Sequence, residues 1–300
     1  MSIVQDEYSI DEFKKILIET FKFTIDFLNR HNLQWFVGQG SCIGVVRHHG
    51  LIPWDDDIDI LMPRDDYNKL INLYSELEGT EYELMSWENS QYIYPFAKMV
   101  NRHTTLWEQK FQPFIIGVYI DIFPMDLSDK PSDILLNEIK EYDRVLNYYW
   151  SSISVFTFKD SLDLLKNKRL RYFVHSLMSA ITRLKKDYYL EKLKALDKEH
   201  NQNTGSSYVL FSSCFAYRYE KEIFKKEWFE NYVLMPFEDI EVRVPVGYDS
   251  YLKHVYGDYM KLPPVDKRVT RHYHYYINLK ERKTKEEIIE MKNRDCLKEE

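Results

Sequence analysis

Cysteine is scarce here and has no pairing pattern. The three residues, Cys42, Cys214 and Cys296, are odd in number and far apart, which excludes both a C-x-x-C zinc pattern and a framework of bridges and suits a reducing compartment. Glycine is sparse, with 9 in 300 residues, and no repeat or low-complexity segment occurs. No apolar run approaches the roughly 18 residues of a membrane span, and the opening MSIVQDEYSIDEF is too acidic and too broken for a signal peptide. A cytoplasmic protein is expected. Positive charge is not in excess either. The 41 Lys and Arg face 48 Asp and Glu for a net −7, which argues against a dedicated nucleic-acid partner. What is present is ordinary for a globular chain, 44% hydrophobic and 30% charged, with an unusual 24 Tyr and 17 Phe. The length allows one large domain or two small ones.

Ser9-Ile10-Asp11-Glu12 has capping-box spacing, and Phe13, Ile16, Leu17, Phe21, Ile25 and Leu28 follow at helical intervals, so a helix of roughly 20 residues is expected. Trp35-Phe36-Val37 reads as a short buried strand, and Cys42–His49 as a short helix stopped by Gly50 and Pro53. A carboxylate-bearing strand ends at Pro63, and a helix from Asp65 or Asp66 carries Tyr67, Leu70, Ile71, Tyr74 and Leu77. Strands are expected at 82–86, 94–100 and 118–123, with Pro124 ending the last and 104–107 an open fourth. Residues 131–200 have helical pattern only, and 201–207, NQNTGSS, is the best linker. A strand at 240–244, a helix at 248–256 and a charged tail from Thr284 complete the chain. The order predicts an α+β fold with a mixed sheet in the first half and a mainly helical second half.

The chemistry concentrates in GSCIGVVRHHGLIPWDDDIDILMP, Gly40 to Pro63. Gly40 and Ser41 lie between a strand end and a helix start, a place for a phosphate oxygen; taken alone, a plain turn with an N-cap is the commoner reading of a Gly-Ser pair. Asp55, Asp56, Asp57 and Asp59 follow within five residues. Strand alternation puts Asp57 and Asp59 on one face, about 7 Å apart, where they repel unless a cation intervenes. Hard divalent ions such as Mg²⁺ take such oxygens. A calcium loop does not fit, because Ile60 stands where that loop turns on Gly and Asp66 where it needs Glu. A D-x-D of a Mn²⁺-dependent glycosyltransferase remains open at this point. Asp121, alone in the apolar run Val118–Phe123, supplies a third carboxylate if its strand neighbours the cluster; a structural Asp with a basic or backbone partner is the alternative.

A Gly-Ser turn, a D-x-D and a lone carboxylate on a later strand resemble the nucleotidyltransferase superfamily. More narrowly, Gly40, Ser41, Gly44, Arg47, His48, Gly50, Ile52, Pro53, Trp54, Asp55, Asp57, Ile58 and Asp59 resemble the first block of the LicD family, bacterial phosphocholine transferases related to fukutin and fukutin-related protein. Val118–Pro124, VYIDIFP, is similar to the second block, and Phe237-Glu238-Asp239 through Tyr256–Pro264 to the C-terminal one. Ser41 stands where the family more often has Thr; both carry a hydroxyl.

The resemblance implies a nucleotidyltransferase-like domain over 9–283, with its sheet core at about 30–127, a helical portion at about 128–283 and a tail at 284–300. It implies transfer of phosphocholine from CDP-choline, or of a related alcohol phosphate from another CDP-alcohol, to a sugar hydroxyl of a teichoic acid, lipopolysaccharide or capsule precursor, with release of CMP. The expected partners are thus a nucleotide-diphosphate donor and a glycan or lipid-linked glycan acceptor. Asp57, Asp59 and Asp121 would bind Mg²⁺ or Mn²⁺, with Asp121 assisting deprotonation and Asp55 orienting the cluster; Asp56 would point away. Gly40, Ser41, Arg47, His48 and Lys98 would meet the diphosphate, and Lys267, Arg268, Arg271 and His272 read as an exposed basic turn. A choline cage could draw on Tyr92, Tyr94, Trp107, Tyr217, Tyr219 or Tyr256. Two other functions compete: NMP transfer from an NTP to a small molecule, and a binding module with a dead site. Residues 166–186 carry Lys166, Lys168, Arg169, Arg171, Arg183, Lys185 and Lys186 around an apolar middle with no acid, which reads as peripheral membrane contact or as a core helix with charged ends.

Overall fold

The computed structural model describes residues 9–88, 92, 94–166, 169–200, 204–211, 219–270 and 274–296. Tyr217, Lys168, Arg271, His272 and residues 201–203 of the expected linker lie outside them, as does the side chain of Arg171. The chain divides into two compact units. The first draws on 1–109, 114–124 and 226–300, the second on 110–113 and 125–225.

The first unit opens with helix α1, Ile10–Arg30, whose N-cap Ser9 accepts the Glu12 N–H at 3.1 Å while Asp11 and Glu12 complement the positive helix end. Its buried stripe includes Phe13, Leu17, Phe21, Ile25 and Leu28. Thr20 and Thr24 are buried on the same helix because each hydroxyl donates to a carbonyl one turn back, Ile16 and Thr20, at 2.7 Å. Strand β1, Phe36–Val37, leads into α2, Gln39–Ile43, and a π-helical turn Gly44–His48 that ends at left-handed His49. Strand β2, Asp59–Pro63, returns antiparallel with Phe36 opposite Leu61 and Val37 opposite Ile60. Helix α3, Arg64–Asn72, and a 3₁₀ turn Tyr74–Leu77 lead to β3, Tyr82–Met85; β4, Ala97–Asn101; β5, Thr105–Trp107; and β6, Tyr119–Ser128. The main sheet runs β1-β2-β6-β4-β3, with β4 antiparallel to both of its neighbours.

The second unit holds the helices α4, Ser132–Ile153; α5, Phe158–Lys166; α6, Leu170–Thr182; and α7, Lys186–His200. Two short strands join them, β7, Ser207–Val209, and β8, Ile223–Lys225, with β7 paired to residues 126–128 of β6. The chain then returns to the first unit with a hairpin of β9, Tyr232–Phe237, and β10, Ile240–Pro245, followed by α8, Tyr248–Tyr256; β11, Tyr276–Asn278, paired with β5; and α9, Lys285–Cys296. This is an α+β architecture, with a mixed sheet in the first half and helices leading the second.

Several boundaries differ from the sequence reading, each for a physical reason. The carboxylate strand begins at Asp59, so Asp55, Asp56 and Asp57 sit in irregular chain before it. Alternation at Asp57-Ile58-Asp59-Ile60 mimicked a strand that pairing does not extend that far. Pro124 does not end β6, because it falls between the ladder to β4, residues 119–122, and that to β7, residues 126–128, where no donor is needed. Strands β7, β8, β9 and β11 were not foreseen. β9 alternates exposed and half-buried side chains at its start, and the other three are only three residues long.

Candidate active site

Asp55, Asp56 and Asp57 each offer a carboxylate oxygen within 4.8 Å of the others, all half-buried. Three acidic oxygens that close repel strongly unless a cation lies among them, and an all-oxygen set is what Mg²⁺, Mn²⁺ or Ca²⁺ accepts. The residues present therefore fit a divalent ion. The trio includes Asp56, which the sequence reading turned away from the cluster. Its side chain is 15% exposed, and its Oδ2 lies 3.0 Å from Nε2 of His274. Sequence spacing gave no sign of that long-range partner, 218 positions away.

Asp59 is buried at the start of β2, where its N–H donates to Ser41 Oγ at 2.9 Å and its carbonyl accepts from the Gly38 N–H. The Gly-Ser turn is thus tied directly to the acidic segment. Gly40 lies beside Asp55: a Cβ there would come 3.4 Å from Asp55 Oδ2, an ordinary van der Waals contact. The adjacent Gln39 has φ 44°, and its N–H donates to the hydroxyl of Tyr251 at 2.9 Å. Cys42 is fully buried, and burial pushes its thiol up, out of nucleophilic use.

Asp121 reaches the same segment from β6, where its N–H donates to the carbonyl of Ile58 at 3.0 Å. Across the ladder its direct partner is Lys98, whose Nζ lies 2.5 Å from Asp121 Oδ1. Lys98 is 2% exposed on β4, an interior strand, so an edge location does not account for it. Its ammonium sits 3.2 Å from the ring centre of Tyr119, a cation–π contact in a dry setting. Burial above all, then Glu108 and Asp121, push the Tyr119 phenol well above its usual range, and Asp57 adds to this. The phenol therefore keeps its proton and donates to Glu108 at 2.6 Å.

A cationic group gathers around Trp54, the residue before Asp55. Arg47 donates from Nε to His48 Nε2 at 2.9 Å and from a terminal nitrogen to the Tyr259 carbonyl at 2.5 Å. Burial and the neighbouring Arg268 guanidinium both press its pKa down; burial and Arg47 do the same to His48, favouring the neutral ring that accepts from Arg47. Trp54 joins the set, edge-to-face with His48 at 5.9 Å and 5.5 Å beneath the Arg268 guanidinium. Arg268, read from sequence as part of an exposed turn, is half-buried here. Two guanidiniums close enough to repel invite an anion between them.

Of the aromatic candidates, Tyr92 and Tyr94 come together, 5.3 Å apart, with Phe96 and Phe114 beside them. The Lys98 ammonium lies 5.6 Å from the Tyr94 ring. Trp107 packs on Tyr275 instead, Tyr256 bonds Gln39, and Tyr219 bonds Asp143 in the second unit.

Clustered carboxylates at the mouth of a short strand, with a Gly-Ser turn tied to them and a further Asp from a neighbouring strand, define a domain of the nucleotidyltransferase class. Residues 32–145 match the family described as LicD/FKTN/FKRP, nucleotidyltransferase domain. The chain is 26% identical over 245 residues to the lipopolysaccharide cholinephosphotransferase LicD of Haemophilus influenzae, covering 81% of this chain and 88% of that protein. Over residues 32–145 the chain is thus similar to the LicD-type nucleotidyltransferase domain. Shorter matches join it to uncharacterized proteins of Rickettsia prowazekii, 33% over 66 residues, and Rickettsia typhi, 38% over 60 residues; these span 22% and 20% of this chain and 25% and 19% of those proteins.

Proposed function

We propose that this protein is a transferase that moves phosphocholine from CDP-choline to a sugar hydroxyl of a cell-surface glycan precursor, with a divalent cation, Mg²⁺ or Mn²⁺, at its aspartates. The observation that carries this reading is the Asp55-Asp56-Asp57 trio, with its oxygens within 4.8 Å, beside Asp59 and Asp121. Asp55, Asp56 and Asp57 would hold the ion, with Asp59 and Asp121 as the further carboxylates of the segment. Such an ion, when bound, neutralises diphosphate charge and favours departure of the leaving oxygen.

The chain's own groups set the geometry of an in-line displacement. The acceptor oxygen attacks the phosphorus that bears choline, the bond from that phosphorus to the oxygen bridging to CMP breaks, and CMP leaves with the electron pair. Lys98 fixes the direction of Asp121, which would receive the acceptor proton. Arg47 and Arg268 would face the diphosphate from the other side, where an anion relieves their mutual repulsion. The Tyr92-Tyr94-Phe96-Phe114 group supports recognition of a quaternary ammonium, since Lys98 already shows a cation resting on Tyr94 and Phe96. The H. influenzae relative's name favours choline as the alcohol and lipopolysaccharide as the acceptor.

A thermal-shift comparison of CDP-choline, CDP-ribitol, CDP-glycerol, CTP and ATP, each with and without Mg²⁺, tests this. Binding to the native state alone stabilises by about 2.7 kcal/mol at 100 times Kd. CDP-choline with Mg²⁺ is expected to give the largest shift. Shifts from CTP or ATP alone, with none from any CDP-alcohol, would overturn the reading in favour of NMP transfer.

A further inference from the structure

Helix α6 in the second unit is built inside out. The face turned to the protein is its polar one: Ser176, Ser179 and Thr182 are buried, Ser179 donates to the Ser154 carbonyl at 2.6 Å, and His175 lies 3.2 Å from the hydroxyls of both Ser151 and Ser154. The opposite face carries Leu170, Val174, Leu177 and Ile181, spaced i, i+4, i+7 and i+11, and every one is exposed. Amphipathic helices of soluble proteins turn the apolar stripe inward, so this stripe calls for another apolar phase.

Helix α5, which packs on α6, repeats the pattern. It buries none of its residues and exposes Phe158, Leu162 and Leu165 at i, i+4 and i+7. Beyond α6, Leu184 is 95% exposed. Both neighbouring helices thus leave an apolar stripe exposed, the reverse of the usual arrangement in a soluble protein.

What covers it is indicated by charge. Residues 155–188 hold eight Lys and Arg against three Asp in a chain of net −7. Lys159, Lys166, Arg169, Lys185 and Lys186 are all exposed, and none makes an ion pair with a described carboxylate. Among the described residues no helix is long and apolar enough to cross a membrane. We infer that α5, α6 and the turn at Leu184 form a monolayer-docking surface for an anionic lipid bilayer, with the leucines entering the acyl boundary and the lysines meeting headgroup phosphates. A second copy of the chain would have to meet this basic rim with its own identical cations, which disfavours it.

The full-length protein should co-sediment with phosphatidylcholine/phosphatidylglycerol vesicles and much less with phosphatidylcholine alone. The double variant Ile181→Glu/Leu184→Glu should lose at least about tenfold in partitioning, since both side chains would enter the bilayer. Lys185→Glu/Lys186→Glu should lose a similar factor, at about fivefold per cation near the surface. All four positions are exposed, so circular dichroism melts should match wild type. Equal sedimentation with both vesicle types, sedimentation with neither, or unchanged partitioning of the variants would overturn the inference. So would light scattering that finds a wild-type dimer made monomeric by Ile181→Glu/Leu184→Glu, which would make the face a self-interface.

Discussion

Lys98→Met should be among the most damaging single changes in the first unit. The ammonium lies 2.5 Å from Asp121 Oδ1, with side-chain exposures of 3% and 12%, so removing it takes the compensating charge from a buried carboxylate. Breaking a buried pair from one side costs about 3–5 kcal/mol, and loss of the contact over Tyr119, 3.2 Å from its ring centre, adds about 1–2 kcal/mol. At about 2–4 °C per kcal/mol for a unit of this size, the melting midpoint should fall by roughly 10 °C or more. Urea unfolding in chelator supplies the free energies. Lys98→Met/Asp121→Asn should cost less than Lys98→Met alone, because the second change removes the buried negative charge. Mg²⁺ should recover part of the loss in Lys98→Met and little in the double variant if Asp121 faces the cation site. A Lys98→Met cost under about 1 kcal/mol, or strictly additive single changes, would refute the argument.

Other expectations follow from single contacts. Ser41→Ala leaves the buried Asp59 N–H without its 2.9 Å acceptor and should cost about 1–3 kcal/mol in urea unfolding. Gly38→Ala would put a Cβ 2.4 Å from Cγ of the fully buried Leu61; an overpacking cost of about 1–3 kcal/mol, read as a lower melting midpoint, is expected. His200, stacked on Phe211 at 3.9 Å, has its pKa lowered below 6.5, chiefly by burial. The unfolded chain then binds the extra proton, so this stability is present above about pH 6.5 and lost as pH falls through and below it. His200→Phe should flatten that part of the slope between about pH 7.5 and 5.5, read from melts.

The α+β class was legible because helical and strand periods separate cleanly along the chain. Asp57, Asp59, Asp121, Gly40, Ser41, Arg47 and His48 stood out because acids inside apolar runs and cations beside Gly-Ser turns are chemically odd. What sequence could not supply was pairing. Asp56 looked like a bystander because alternation was extended into a segment that forms no ladder, and its partner His274 lies 218 residues on. Lys98 was singled out, yet only the register opposite Asp121 reveals it as half of a buried pair. Arg268 was dismissed as part of a basic turn because its neighbours Trp54 and Arg47 come from another part of the chain.

The most direct measurement is product analysis with purified protein, an acceptor oligosaccharide of the lipopolysaccharide type, CDP-choline and Mg²⁺, in wild type and Asp57→Asn. The account predicts phosphocholine on the acceptor with one CMP released per transfer, and a fall of at least about a hundredfold in the variant, on the scale of removing one charge-stabilising group from an active site. Pyrophosphate released from CTP or ATP with CDP-choline untouched, or full turnover by Asp57→Asn, would contradict it.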